Sequence, residues 1–131
     1  MSAADRYRTA LAAGTILSAS GHSGPIHVLD DTDMSPQLVI ADISAITGVG
    51  ATVTFGVQWD ADPDSATYPP AAWGASVTGA PQTTPGTGIT VASATPVRNP
   101  AGGNGNIPCY FRITWALSGT TPSVTLGLYC T

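Results

Sequence analysis

The chain has 131 residues, a net charge of −4 and a charged fraction of only 9%, with every cation an Arg and every anion an Asp. That length fits one domain with a self-sufficient core. Four scattered arginines against eight aspartates exclude the clustered basic surface that nucleic acid or an anionic membrane requires, and no apolar run reaches the roughly 20 residues of a membrane helix.

Residues 1–14 read as a short N-terminal arm or helix, separate from a domain over 15–131. Ser2 and Asp5 have capping-box spacing, Ala3 to Ala13 are rich in helix formers, and Gly14 supplies a stop. On such a helix Tyr7 and Leu11 share one face. An isolated helix of about ten residues is marginal in water, which makes Tyr7 and Leu11 candidates for contact with a neighbouring subunit. Arg6 and Arg8 precede Leu11 to Leu17 as in a signal peptide, but Thr15 and Gly14 make that stretch too short and too polar for one.

From Thr15 the period changes to two, the period of a strand. Thr15 to Ala19 and Ile26 to Leu29 are expected strands, punctuated by Gly21, Gly24 and Pro25. Next comes an expected hairpin. Val39, Ala41, Ile43 and Ala45 alternate onto one face, as do Val53, Phe55, Val57 and Trp59, with Gly48-Val49-Gly50 as turn material between them. The matching register sets Ile43 opposite Val53 and Ala41 opposite Phe55.

The middle of the chain concentrates the prolines. Trp73 to Thr78 and Ile89 to Ala94 read as strands, while Pro81 to Gly88 and Asn99 to Asn106 read as loops. A second expected hairpin joins Pro108 to Leu117 with Pro122 to Cys130 through Ser118-Gly119-Thr120-Thr121. Its register opposes Trp115 to Val124, Ile113 to Leu126, Phe111 to Leu128 and Cys109 to Cys130, so one face is wholly apolar. About seven or eight such strands predict an all-β fold. The expected architecture is a two-sheet antiparallel β-sandwich, Ig-like or jelly-roll-like, with a single closed barrel as the alternative.

Chemistry-bearing residues are few. Cys109 and Cys130 would stand close enough in that hairpin for a disulfide, or act as two buried thiols, the form favoured in a reducing compartment. Asp60, Asp62 and Asp64 alternate like the start of a calcium loop, but Ser65 stands where Gly is needed and Ala71 where a bidentate Glu is needed, so turn formation is the reading. His22 and His27, five apart, fall on opposite faces of a strand. No nucleophile elbow, phosphate loop or dinucleotide fingerprint is present. Neither an enzyme nor a cofactor is expected. Trp59 and Trp115 fall in the inward pattern. Trp73, after Tyr68-Pro69-Pro70, is expected nearer the surface, where sugar-binding sandwiches carry their aromatic platforms.

Several motifs together resemble a family of small structural proteins from tailed bacteriophages. They are Ile16-Leu17-Ser18-Ala19-Ser20-Gly21, Leu38-Val39-Ile40-Ala41-Asp42-Ile43 and Thr52-Val53-Thr54-Phe55-Gly56-Val57-Gln58-Trp59-Asp60. The last is Cys109-Tyr110-Phe111-Arg112-Ile113-Thr114-Trp115, followed by Ser118-Gly119-Thr120-Thr121-Pro122-Ser123. The likeness runs over most residues from Thr15 onward. The chain departs from the pattern in its acidic loop (Asp60 to Ala72) and in the stretch Pro81 to Asn106. The resemblance implies a virion component of β-sandwich type without catalytic residues. The form expected is a capsid decoration protein, a homotrimer seated on the outer head shell against the major capsid protein. Tyr7, Leu11, Trp73 and Arg112 are its interface candidates. A minor tail protein and a glycan-binding module on the particle surface are the alternatives.

Overall fold

Two long strands organise the molecule, and each spans a segment that the sequence marks as a hairpin. The computed structural model describes residues 7–27, 37–61, 69–94 and 110–131. In chain order the strands are β1 (Arg8–Leu17), β2 (Gly21–His22), β3 (Ile26–His27), β4 (Gln37–Trp59), β5 (Val77–Thr78), β6 (Gly86–Ala94) and β7 (Tyr110–Cys130). All seven belong to one antiparallel sheet with the order β1-β7-β4-β5, while β2 and β3 join β7 and β6 joins β4. The fold is all-β, as expected, and no helix occurs among the described residues. Among the described residues the strands form one continuous sheet, and it is not closed into a barrel.

The two expected hairpins do not form. Instead β4 runs antiparallel to β7 along nearly the whole of both, from Val39↔Cys130 to Trp59↔Phe111. Ile43 therefore faces Leu126 where Val53 was expected, and Trp115 faces Phe55 where Val124 was expected. The turn-like segments lie opposite each other, with Val49 paired to Thr120. Gly48, Gly50, Gly119 and Thr121 all take positive φ there, at 117°, 64°, 109° and 51°. These residues bend the two paired strands together, and neither strand pairs with itself. The backbones close up at that point. A Cβ on Gly48 would sit 2.9 Å from the Thr120 and Thr121 carbonyl oxygens, and one on Gly119 would sit 2.8 Å from Ala51 Cα.

Which residues turn inward is as the alternation predicts except at Ala45, where a register shift after Ile43 packs Ile46 against the core instead. Val39, Ala41, Ile43, Val53, Phe55, Val57 and Trp59 of β4 are buried. So are Phe111, Ile113, Trp115, Val124, Leu126, Leu128 and Cys130 of β7. Residues on both sides of the bend join one core cluster with Leu17, Val91, Ala92 and Ala94. Replacing one fully buried Leu by Ala in such a core costs about 2–5 kcal/mol.

The helix expected over Ala3 to Ala13 is overturned for its described part: Arg8 onward is strand, and the separate arm expected over residues 1–14 is sheet from that point. Residues 1–6, with Ser2 and Asp5, lie outside the described residues. Helix propensity is a weak prior. Pairing with the last strand overrides it here, placing Leu11 on Leu128 and Leu17 on Val124. The register shifts between Thr9 and Leu11 and again between Leu11 and Thr15, so β1 carries extra residues against β7. Gly14, at φ 87°, lies in the second of these irregularities rather than at a helix end.

Between β2 and β3 the ladder against β7 is continued by a side chain. Ser23 N donates to the Ile113 carbonyl at 2.8 Å, and Ser23 Oγ accepts from Ile113 N at 2.9 Å. Ser20 Oγ accepts from Leu117 N in the same manner, at 2.9 Å. The expected strand over Trp73 to Thr78 shortens to Val77–Thr78, and that over Ile26 to Leu29 is strand at Ile26–His27. The strand expected from Ile89 begins three residues earlier, at Gly86.

Candidate interaction surface

Alternation along β7 that buries Phe111, Ile113 and Trp115 turns Tyr110, Arg112 and Thr114 to the opposite face. Pairing extends that face sideways. His27 lies beside Tyr110 and His22 beside Thr114 on one flank, while Gln58 lies beside Arg112 and Gly56 beside Thr114 on the other. Trp73 reaches the same face through an isolated backbone bridge between Asp60 and Trp73, reinforced by Gly74 N donating to the Trp59 carbonyl at 2.9 Å.

Arg112 is held from two directions. Its guanidinium carbon lies 4.7 Å from the centroid of the Trp73 ring. Its Nε donates to Gln58 Oε1 at 2.7 Å. Gln58 is itself fixed, because its Nε2 donates to the Gly74 carbonyl at 3.1 Å. A guanidinium stacked on an indole contributes about 0.5–2 kcal/mol, depending on desolvation. The terminal nitrogens of Arg112 have no acceptor among the described residues. The buried polar atoms without a partner there are His27 Nε2 and Trp59 Nε1, so the unpaired Arg112 nitrogens are at the surface. Next along the face, Ser76 Oγ and Thr114 Oγ1 stand 3.2 Å apart over Gly56, where a Cβ would come within 2.4 Å of the serine oxygen.

Two of the four expected interface residues are thus brought together, Arg112 and Trp73. The other two are not at this surface. Tyr7 is half-buried just before β1, and Leu11 is half-buried against the core. Trp73 is half-buried under the Arg112 guanidinium rather than an open platform. Gln58, the residue that locks the arginine, carried no sequence signal beyond its outward place between Val57 and Trp59.

At the end of the sheet away from the bend, Arg8 performs a second, structural task. It pairs with Cys130 in β7, its Nη1 donates to the His27 carbonyl, and its guanidinium lies 5.6 Å from the Phe111 ring centroid. Phe111 packs on Trp59 at 5.2 Å, and Tyr110 on His27 at 5.0 Å. Arg8 therefore ties the first strand to the third across the aromatic end of the core.

Cys130 is a buried free thiol with Arg8 on one side and Val39 on the other. Burial pushes its pKa above the ordinary thiol value of 9.0, and the Arg8 charge opposes that rise. The register that set Cys109 opposite Cys130 is not formed, and Cys109 itself lies outside the described residues. So do Asp62 and Asp64 of the acidic run, Tyr68, the Asn99 to Asn106 loop, and Asp30, Asp31 and Asp33. Asp60 is buried at the end of β4. Among the described residues no group of three or more potential metal ligands occurs, and no helix is long and apolar enough to cross a membrane.

The surface therefore offers an immobilised cation on an aromatic support, set in polar and hydroxyl-bearing neighbours on a stiff sheet. No protein-family model matches the chain, and neither a curated protein nor a solved structure matches it.

Proposed function

We propose that the chain is a structural protein of a tailed-bacteriophage particle. In this reading it is a capsid decoration protein that sits as a homotrimer on the outer head shell and braces neighbouring copies of the major capsid protein. The single observation that carries the contact role is the Arg112–Trp73 pair locked by Gln58 on the outward face of a rigid sheet. Arg and Trp are the side chains most enriched at binding hot spots, and side chains held before docking lose less entropy on binding. The phage placement rests on the motif resemblance, above all on the Tyr110-Phe111-Arg112-Ile113 strand that supplies this arginine.

We read the bent sheet as a two-layer sandwich in working terms. Its halves, on either side of the Gly48–Gly50 and Gly119–Thr121 bend, share one core, and Arg8 ties them at the far end. The sheet edges favour contact through a face rather than by strand addition. The two long outer strands, β1 and β6, have irregular registers, and bulges blunt an edge against a further strand. A low-charge face that repeats on every copy gains by multivalency on a lattice, where many weak contacts act together.

Co-sedimentation of the purified chain with head shells that lack it tests the proposal. Saturable binding at a fixed number of copies per shell, together with a shell that resists heat or low salt better, is the expected result. Failure to bind shells, with absence of the chain from intact particles, overturns the placement. A ring of copies on the tail would move the protein there.

A further inference from the structure

We propose that Arg112 is the receptor for one carboxylate, the side chain of an Asp or Glu on a protein partner; this deepens the contact role proposed above and rests on it. Three observations converge. The guanidinium is held over Trp73 at 4.7 Å and by Gln58 at 2.7 Å, so its position is set before any ligand arrives. The Gln58 bond occupies Nε, which leaves the Nη1/Nη2 edge as the open side of the fork. That edge presents two parallel N–H groups, the geometry that a carboxylate accepts in bidentate form. Finally, no carboxylate pairs with Arg112 among the described residues, and Asp42 is engaged by Gly88 N at 2.6 Å on another strand.

The surroundings select the class of ligand. The chain carries −4 overall, so an extended polyanion meets net repulsion while a single carboxylate meets the local cation. The guanidinium already covers one face of the indole on which a sugar ring would stack. Beside the fork, the Ser76 and Thr114 hydroxyls offer further hydrogen bonds to the backbone that carries the carboxylate. Trp73 and Gln58 act on the ligand through Arg112 and are positioning residues.

The test uses the full chain labelled with 15N. Sodium succinate, sodium chloride at matched ionic strength, and inorganic phosphate are titrated separately while the Arg112 Nε–H and Trp73 indole N–H signals are followed. Succinate should shift both signals saturably, with half-saturation at least tenfold below any effect of chloride. Arg112→Gln should abolish the response of the Trp73 signal, and Arg112→Lys should weaken it at least fivefold, because an ammonium gives no bidentate fork. Gln58→Ala should weaken it several-fold with the arginine still present, which also guards against misfolding of the Arg112 variants. Equal responses to succinate and chloride overturn the proposal, as does saturation by phosphate without saturation by succinate. Shell binding separates the two claims. If the wild type binds head shells and Arg112→Gln binds them equally well, the carboxylate receptor is wrong and the placement stands. If the wild type binds no shell, the placement is wrong and the succinate titration still judges the fork.

Discussion

Val49 and Thr120 face each other across β4 and β7, so the two segments that look like separate hairpin turns are a single shared bend. Neither strand pairs with itself there. The glycines around them, with Thr121 at positive φ, let two paired strands change course together while the ladder resumes on either side.

That bend predicts an unequal response to alanine at two glycines of similar φ. Gly119→Ala places a Cβ 2.8 Å from Ala51 Cα at φ 109° and should destabilise by about 2–4 kcal/mol, as strain and steric conflict combine. Gly14→Ala meets no atom within 4 Å at φ 87° and should cost only the left-handed penalty, about 1–2 kcal/mol. Urea unfolding of both variants checks the order. Equal losses would mean that the strands do not approach closely at the bend.

Which residues face inward was legible from the sequence, while their partners were not. Val39, Ile43, Phe55, Ile113 and Leu126 are buried as their alternation requires. Pairing Ile43 with Val53 or with Leu126 buries the same side chains, because a period of two fixes the face of a strand and says nothing about its neighbour. The choice is made by backbone geometry at Gly48, Gly50, Gly119 and Thr121, and glycine-rich segments read alike as turns or bends. In the candidate surface, Arg112 and Trp73 were each visible as outward residues. Their contact was not, because the bridge at Asp60 that delivers Trp73 to the face joins no alternating pair of segments. Arg8 was hidden in an alanine-rich stretch whose local propensity is helical.

Ser23 substitutes for strand pairing between β2 and β3, and this has a measurable consequence. Ser23→Ala leaves Ile113 N without its acceptor in a buried position and removes the bond from Ser23 Oγ to the Gly24 carbonyl. A loss of about 1–3 kcal/mol is expected. Amide exchange at Ile113 should accelerate while that at Leu126, on the other side of the bend, changes only as far as global stability falls. Unchanged protection at Ile113 would contradict the role given to the serine.

Arg8→Gln removes the guanidinium from the Phe111 ring and from the Arg8 bond to the His27 carbonyl. Its expected cost is about 1–3 kcal/mol, from one charge-assisted bond and one cation–ring contact. Thermal unfolding measures it, and near-ultraviolet dichroism should report loosening around Trp59 and Phe111. Stability within about 0.5 kcal/mol of the wild type, the range of an ordinary surface substitution, would show that Arg8 ties nothing.

The Cys130 thiol sets an alkaline limit. Its pKa is raised in the folded chain, so the folded state holds the proton more tightly than the unfolded state does. The stabilisation is complete below the unfolded value near 9.0 and is lost as pH rises through the folded one. Between those values Cys130→Ala should show a flatter fall of stability with pH than the wild type. In a Cys109→Ser background, a thiol reagent at neutral pH should label Cys130 only as fast as the chain unfolds. Immediate labelling of the native protein would contradict its burial.

Contact is the activity proposed here, and an averaged electron-microscopy map of the intact particle tests it most directly. The account predicts density for this chain in threefold clusters on the outer head shell, with the Arg112–Trp73 face turned toward an acidic side chain of the capsid protein. Particles whose shells lack that density, from preparations in which the chain is abundant but unattached, would contradict it.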